Sequence, residues 1–146
     1  MRADDDVLLD LARAVVGLST RAADKLGSVS VVQLRALSVL RELGTATLRD
    51  LAAHMGVTVS TTSRLVDRLV AADLVDRRPS PRSRRELELR IAPTGRATLD
   101  RYDELRLSQL RSALLSVPPA ERADVLALLG RFAAAVPTAP IEEPTA

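Results

Sequence analysis

In this chain of 146 residues the spacing of apolar residues switches from helical to alternating over one short stretch, and that stretch constrains the fold most strongly. Over residues 47–75 the apolar positions recur every three to four residues, as on one face of a helix. Over residues 86–92 they alternate instead, with Leu87, Leu89 and Ile91 separated by charged residues, as in a half-buried strand. The chain is therefore predicted to be mainly α-helical with a small β-hairpin.

The helical stretch over residues 47–75 divides into two short helices. Thr47 and Asp50 have the spacing of a capping box at the start of the first, which Gly56 ends. Thr58 is placed to cap the second. Two short helices joined by a glycine-containing turn predict a helix-turn-helix.

The exposed side of the second helix carries hydroxyl groups and arginine. In DNA-binding proteins the N-terminal half of such a helix enters the major groove, where arginine contacts a guanine edge or a phosphate. An ordinary solvated helix face is the alternative. The residues predicted to contact DNA from this helix are Thr58, Ser60, Thr61, Ser63, Arg64 and Arg68.

The stretch RRPSPRSRR, residues 77–85, contains five arginines and no acidic residue. It lies between the helix-turn-helix and the alternating strand, so it is predicted to be the tip of a basic hairpin, or wing, rather than a disordered basic tail. Pro79 and Pro81 cannot donate to a strand ladder, so the arms are predicted to separate there. A solvated turn is the alternative to contact with a polyanion. The wing residues predicted to contact DNA are Arg77, Arg78, Arg82, Arg84 and Arg85.

The rest of the chain is predicted to be helical. Helical spacing covers residues 5–25, a helix that Ser30 caps, and residues 93–117 and 119–136, while the segment TAT (45–47) is long enough only for one short edge strand. The tail, residues 137–146, is predicted to be disordered. The predicted organisation is a helical dimerisation region from 5–30 and 97–136, and a winged helix-turn-helix lobe from 31–96.

Apolar stripes on the outer helices predict a homodimer, because one protomer alone would leave them in water. They consist of Leu8, Leu11, Val15, Leu18, Leu110, Leu114, Val125, Leu128 and Phe132. Tyr102 and Phe132 are the two aromatic residues and are expected in the core or the dimer interface. His54 is expected at the surface.

Composition and motifs argue against several functional classes. The chain has no cysteine and one histidine, so thiolate and multi-histidine metal sites are excluded and no metal or cofactor is expected. No phosphate-binding glycine loop or nucleophile motif is present, so the chain is not expected to be an enzyme. No apolar run is long enough to span a membrane and the acidic start does not resemble a secretory signal, so a cytoplasmic location is expected.

The stretches LRDLAAHMGVTVSTTSRLVDRLVAADLVDRR and SRRELELRIAPTGR, in this order, resemble the MarR family of bacterial transcription regulators. The resemblance extends over about residues 5–136. It implies a homodimer with intertwined outer helices that binds double-stranded DNA at a pseudo-palindromic operator, most often as a repressor. It also implies a small apolar or aromatic anionic effector; with few aromatic residues here, an aliphatic pocket with an arginine near its mouth is expected.

Two positions depart from the family pattern. Ser83 stands where the family has the acidic residue that tethers a wing arginine, and Ala92 stands where it often has a capping threonine. Wing rigidity is therefore left open by the sequence. A winged-helix module whose basic wing binds an acidic protein is the competing function, and steeply salt-dependent DNA binding would distinguish the two.

Overall fold

A computed structural model describes residues 3–138 and Ile141. Six α-helices and one hairpin follow each other in the predicted order, which confirms the mainly α fold with a small β-hairpin. The elements are α1 Ala3–Leu26, α2 Val31–Leu43, α3 Leu48–Met55, α4 Val59–Ala71, β1 Val75–Pro79, β2 Leu87–Ile91, α5 Pro93–Leu114, a 3₁₀ turn Pro119–Glu121, and α6 Arg122–Ala135. Most of the tail predicted to be disordered, residues 137–146, lies outside the described residues.

Side-chain caps fix the starts of the three helices in the lobe. Ser30 caps α2 and forms a reciprocal capping box with Gln33. Thr47 and Asp50 form the predicted box at α3, and Thr58 accepts a hydrogen bond from the backbone N–H of Thr61 at α4. These contacts satisfy N–H groups that a helix start otherwise leaves unpaired. The predicted caps are thus confirmed, and the entry angle of each helix is set locally.

The hairpin forms a small antiparallel sheet with a third short edge. β1 and β2 pair from Val75 opposite Ile91 to Pro79 opposite Leu87. Ala46 joins the other side of β2 through two backbone hydrogen bonds with Leu89, of 2.7 and 3.0 Å. The predicted edge at residues 45–47 is confirmed, and it ties the base of the wing to the start of α3.

The prediction that the hairpin arms separate at Pro79 is wrong. Pro79 remains paired, and the N–H of the next residue, Ser80, donates to the carbonyl of Glu86 at 2.8 Å. Hydrogen-bonded and non-hydrogen-bonded pairs alternate in an antiparallel ladder, so the pair of Pro79 with Leu87 is a non-hydrogen-bonded one. The missing N–H of Pro79 therefore faces away from β2 and costs the ladder nothing.

The turn between α5 and α6 begins earlier than predicted. α5 was predicted to reach residue 117 but ends at Leu114, and the next three residues form tight i to i−3 hydrogen bonds. A residue before proline avoids the α conformation, so Pro118 forces this early end. The Arg122 side chain then donates to the carbonyls of Val117 and Leu115, at 2.9 and 3.3 Å, and satisfies the end of α5.

One apolar core holds the helix-turn-helix, the sheet and the first half of α5 together. Its fully buried leucines come from α2, α3, α4, β2 and α5, and Tyr102 is also buried in it. Thr62, completely buried on α4, is satisfied because its hydroxyl donates to the Thr58 carbonyl at 2.9 Å. The exposed sides of α4 and the wing are consequently held in one fixed arrangement. The largest fully buried side chains are Leu34, Leu37, Leu40, Leu51, Val66, Leu69, Leu89 and Leu99.

Candidate nucleic-acid interface

The N-terminal end of α4 presents a cluster of three hydroxyl groups. The Thr58 Oγ1 lies 3.2 Å from the Ser60 Oγ and donates to the Thr61 Oγ1 at 2.9 Å. All three residues are exposed. Because the side chains are small and already ordered by the helix cap, a polar surface can approach the helix end closely. Hydroxyl groups both donate and accept, so they suit contact with phosphate oxygens or base edges.

Arg64 extends this polar surface by one helical turn beyond Ser60. It is exposed, and it forms no ion pair with the residues that the structure describes. Arg68 is also exposed one turn further along, whereas Ser63 is half-buried at the side. The structure therefore brings Thr58, Ser60, Thr61, Arg64 and Arg68 to one open side of α4, with Ser63 at its margin.

Two serine hydroxyls shape the tip of the wing. Ser80, only 8% exposed, accepts a hydrogen bond from the Arg82 backbone N–H at 3.2 Å and donates to Glu88 at 3.4 Å. Ser83 accepts from the Arg85 backbone N–H at 3.3 Å. Ser83 thus orders the turn through the backbone of Arg85. Sequence reasoning missed Ser80, whose position between two prolines was the available signal.

Four of the five predicted wing arginines point into solvent. Arg78 lies on β1, and Arg82, Arg84 and Arg85 lie around the tip; all are exposed and outside every ion pair found among the described residues. Arg78 lies opposite Glu88 in the strand ladder, but Arg82, Arg84 and Arg85 stand together at the tip, where they outnumber the adjacent Glu86 and create a positive potential. The wing tip is therefore suited to an anionic partner.

Arg77, the fifth wing arginine, is held differently from the others. Its guanidinium donates to the carboxylate of Asp67 on α4 at 2.6 Å. A charge-assisted bond of this kind has a defined direction, so it links the wing strand to the exposed face of α4. Arg77 is consequently placed to orient the wing, in addition to the DNA contact predicted from its sequence position.

The capping box of α3 lies under the wing, beside Ala46. Hydrogen bonds from the backbone and side chain of Thr47 lower the pKa of Asp50, so this carboxylate stays ionised over a wider acid range. His54, exposed as predicted, lies with Nδ1 2.9 Å from the Asp50 carbonyl oxygen. Within the described residues no group of three histidine, cysteine or acidic side chains is placed to hold a metal ion.

A cleft between α1 and α5 is lined mainly by aliphatic side chains. Val15 and Leu18 form one wall and Leu107 and Leu110 the other, around a volume of about 390 Å³. Arg106 also lines it, stacked on the Tyr102 ring with the guanidinium carbon 4.2 Å from the ring centroid. The Nε atom of Arg106 is buried without a hydrogen-bond partner among the described residues. The polar side chains of Ser19 and Asp103 complete the lining.

The outer helices leave a broad apolar surface in solvent. None of the residues of α6 is buried against the described part of the protomer. Of the stripe predicted from sequence, Leu18 is buried and Leu114 and Val125 are half-buried, while the others are exposed. Across the part of the chain that the structure describes, no helix is both long enough and apolar enough to cross a membrane.

The sequence of this chain is similar to a known family and to known proteins. The model of the MarR family matches residues 29–87. One curated relative is the HTH-type transcriptional regulator YsmB of Bacillus subtilis, which is 31% identical over 58% of this chain and 58% of that protein. Another is the HTH-type transcriptional repressor IacR of Pseudomonas putida, which is 30% identical over 53% of this chain and 46% of that protein. The chain thus spans about half the length of the curated relatives it matches.

Solved structures resemble the whole described fold. RV1404 from Mycobacterium tuberculosis is 34% identical, with a TM-score of 0.81 over 93% of this chain and 95% of that one. Wild-type MarR from Escherichia coli is 20% identical, with a TM-score of 0.76 over 94% of this chain and 98% of that one, a level that shows the shared fold. The predicted winged helix-turn-helix with additional helices is confirmed.

Proposed function

The chain belongs to the MarR family, and on that premise we propose that it is a homodimeric, sequence-specific regulator of transcription that binds double-stranded DNA and acts as a repressor. The observation that carries this proposal is the pairing of two exposed surfaces on one rigid lobe. The hydroxyl and arginine surface of α4 and the arginine cluster of the wing are fixed relative to each other by the common core and by the Arg77–Asp67 ion pair.

In the proposed complex α4 lies in the major groove. Its hydroxyl cluster approaches the bases and backbone, and Arg64 donates to a guanine edge or a phosphate. The residues proposed to contact DNA from this helix are Thr58, Ser60, Thr61, Ser63, Arg64 and Arg68.

The wing contributes affinity in the proposed complex more than sequence preference. Arg84 and Arg85 reach the minor groove, where groove width sets the potential that attracts arginine. Arg78 and Arg82 contact the phosphate backbone, and Arg77 does so while bound to Asp67. Displacement of counterions by these arginines makes binding steeply dependent on salt.

The proposed dimer is formed by residues 5–30 and 97–136, and residues 31–96 form each DNA-binding lobe. The support is the set of apolar side chains that α1, α5 and α6 leave exposed, which association of two copies would bury. Two lobes related by a two-fold axis would recognise a pseudo-palindrome with half-sites about 10 base pairs apart.

The cleft between α1 and α5 is the proposed effector site. Its aliphatic walls suit a small apolar or aromatic molecule, and the unpartnered Nε of Arg106 could donate to an anionic group on that molecule, while the Nη2 of Arg106 is paired with Asp103. Binding there would release the operator, as in a ligand-regulated repressor. Direct release by a thiol oxidant is excluded, because the chain contains no cysteine.

The test is selection of bound sites from random double-stranded DNA, followed by affinity measurements at two salt concentrations. A sequence with two-fold symmetry and a steep loss of affinity with salt would support the proposal. If no sequence were enriched while the chain bound an acidic protein, the competing function, a winged-helix protein-interaction module, would replace it.

A further inference from the structure

A pair of salt bridges from one arginine joins the end of α2 to α5. Arg41 lies in the last turn of α2, and its two terminal nitrogens approach two carboxylates, Asp100 at 3.3 Å and Asp103 at 2.8 Å. Asp100 and Asp103 are three residues apart on α5, so both face the same side of that helix. The planar guanidinium therefore fixes both the position and the rotation of α2 along α5.

The ion pairs of Arg41 extend through Asp103 to Arg106, which lines the α1–α5 cleft. The second oxygen of Asp103 accepts a hydrogen bond from Arg106, which is stacked on the Tyr102 ring. Asp103 is thus held from both sides, and its side chain is only 24% exposed. We call Arg41, Asp100, Asp103 and Arg106 the α2–α5 clamp.

The clamp lies where the DNA-binding lobe meets the outer helices. α2 packs against α3 and β2 within the lobe, while α5 packs against α1 and continues towards α6. The other ion pairs found among the described residues lie within one helix or, for Arg77 with Asp67, within the lobe. In the described part of the chain the clamp is therefore the ionic link between these two regions.

Apolar packing at the same junction already limits its angle to a narrow range. Leu37 and Leu40 of α2 and Leu99 and Tyr102 of α5 belong to one buried cluster. Interdigitated side chains hold packed helices near one crossing angle, so only small rotations are left for the ion pair to restrict. A forked ion pair does have a direction, and a small rotation would break one of its two contacts.

We propose that the α2–α5 clamp sets the angle between the DNA-binding lobe and the dimerisation helices, and with it the half-site spacing that the dimer accepts. Arg41 is its positioning residue, since its two terminal nitrogens are bound to Asp100 and Asp103. The proposal rests on the proposed function, because spacing has meaning only for a dimer that binds two half-sites.

The test uses the selected operator with its half-sites moved by one base pair in either direction. One base pair changes the relative position of the half-sites by about 35° and roughly 3.4 Å. The unchanged protein is expected to lose affinity sharply at both altered spacings. Arg41→Met is expected to bind the best spacing about fivefold more weakly, the scale of one ion pair, and to show a flatter dependence on spacing.

Two further variants separate positioning from a general loss of structure. Arg111→Met breaks an ion pair with Glu104 on the same helix outside the clamp, and it is expected to leave the spacing dependence unchanged. Arg41→Lys keeps the charge but cannot span two carboxylates as a fork, so an intermediate dependence is expected. An Arg41→Met protein that binds every spacing more weakly by the same factor would overturn the proposal.

A second readout needs no DNA. The chain has no cysteine, so Ala53→Cys on the exposed side of α3 gives one spin-label site in each lobe. The distribution of distances between the two labels is expected to broaden with Arg41→Met and to remain narrow with Arg111→Met. Equal widths would overturn the clamp proposal alone, whereas failure of the unchanged protein to bind any selected DNA would overturn the proposed function.

Discussion

At the scale of single residues, Arg64 and Arg85 carry the same charge on differently built surfaces. Arg64 stands on a helix that the core holds rigidly, next to the ordered hydroxyls of Ser60 and Thr61. A rigid helix can present a donor to one base edge in each half-site. Arg64→Ala is therefore expected to relax preference at that position and to cost roughly 1–3 kcal/mol, measured by binding to operators changed one base pair at a time.

Arg85 lies at the wing tip, where the turn is ordered through its backbone rather than its guanidinium. Its side chain is free to follow the potential of the groove. Arg85→Ala is expected to weaken binding to operator and random DNA alike, with a salt slope shallower by about one unit for one lost phosphate contact. Arg101→Ala, an equal charge change at an exposed position of α5, is the control; unchanged affinities for Arg85→Ala would remove the wing from the interface.

Asp103 is expected to make the free energy of unfolding depend on pH in the acid range. Burial raises the pKa of its carboxyl, but hydrogen bonds from Arg41 and Arg106, with their charges, lower it by more, so the pKa lies below its ordinary value. A carboxyl with a lowered folded pKa stabilises the fold above its unfolded pKa of about 3.9, and this contribution is lost as pH falls through the folded pKa. The difference in unfolding free energy between the unchanged protein and Asp103→Asn should therefore shrink between about pH 7 and about pH 3. Equal differences in urea unfolding at both pH values would contradict this account.

At the scale of secondary structure elements, the start of α5 depends on one close approach. A Cβ added to Gly95 would lie 2.1 Å from the carbonyl oxygen of Leu74, which also accepts a hydrogen bond from Ala92. Gly95→Ala is expected to destabilise the fold by about 1–3 kcal/mol, because α5 must move away from the α4–β1 turn. In Gly17→Ala the new Cβ would meet only the flexible end of Arg21, at 3.2 Å, so urea unfolding should show no comparable loss.

Features of the elements that depend on nearby residues could be predicted from the sequence, and features that depend on pairing between elements could not. Helix starts were predictable because each depends on residues within one turn, as at Thr47 with Asp50. The pairing of Pro79 was not, because it depends on the register across β1 and β2. The left-handed backbone of Asp73, with φ of 58°, occupies a position that more often carries glycine.

The contacts that orient the candidate site could not be predicted from the sequence either, because they depend on how separate elements pack. Arg41 and its two carboxylates are 59 and 62 residues apart in sequence, and the angle at which α2 crosses α5 brings them together. The Arg77–Asp67 pair likewise depends on the angle between β1 and α4. Sequence patterns therefore indicated which residues face outward, and tertiary packing decided how the two surfaces are held.

At the scale of the whole molecule, stability is expected to depend on protein concentration. α6 exposes Leu126, Leu128, Leu129 and Phe132, and the described protomer gives it little to pack against. Since association of two copies would bury this face, the melting temperature should rise over a hundredfold range of concentration. Phe132→Glu is expected to melt at a lower temperature with weaker concentration dependence, and a monodisperse monomer at micromolar concentration in light scattering would contradict the proposed dimer.

The separation of α6 from the rest of its own protomer has a genetic consequence. A copy with a damaged DNA-binding lobe but intact outer helices would still pair with undamaged copies. At equal expression only about a quarter of the dimers would then carry two working lobes, since pairing through a symmetric interface does not discriminate between the copies. Substitutions on α4 or the wing should accordingly behave as dominant alleles, whereas substitutions that prevent pairing should be recessive.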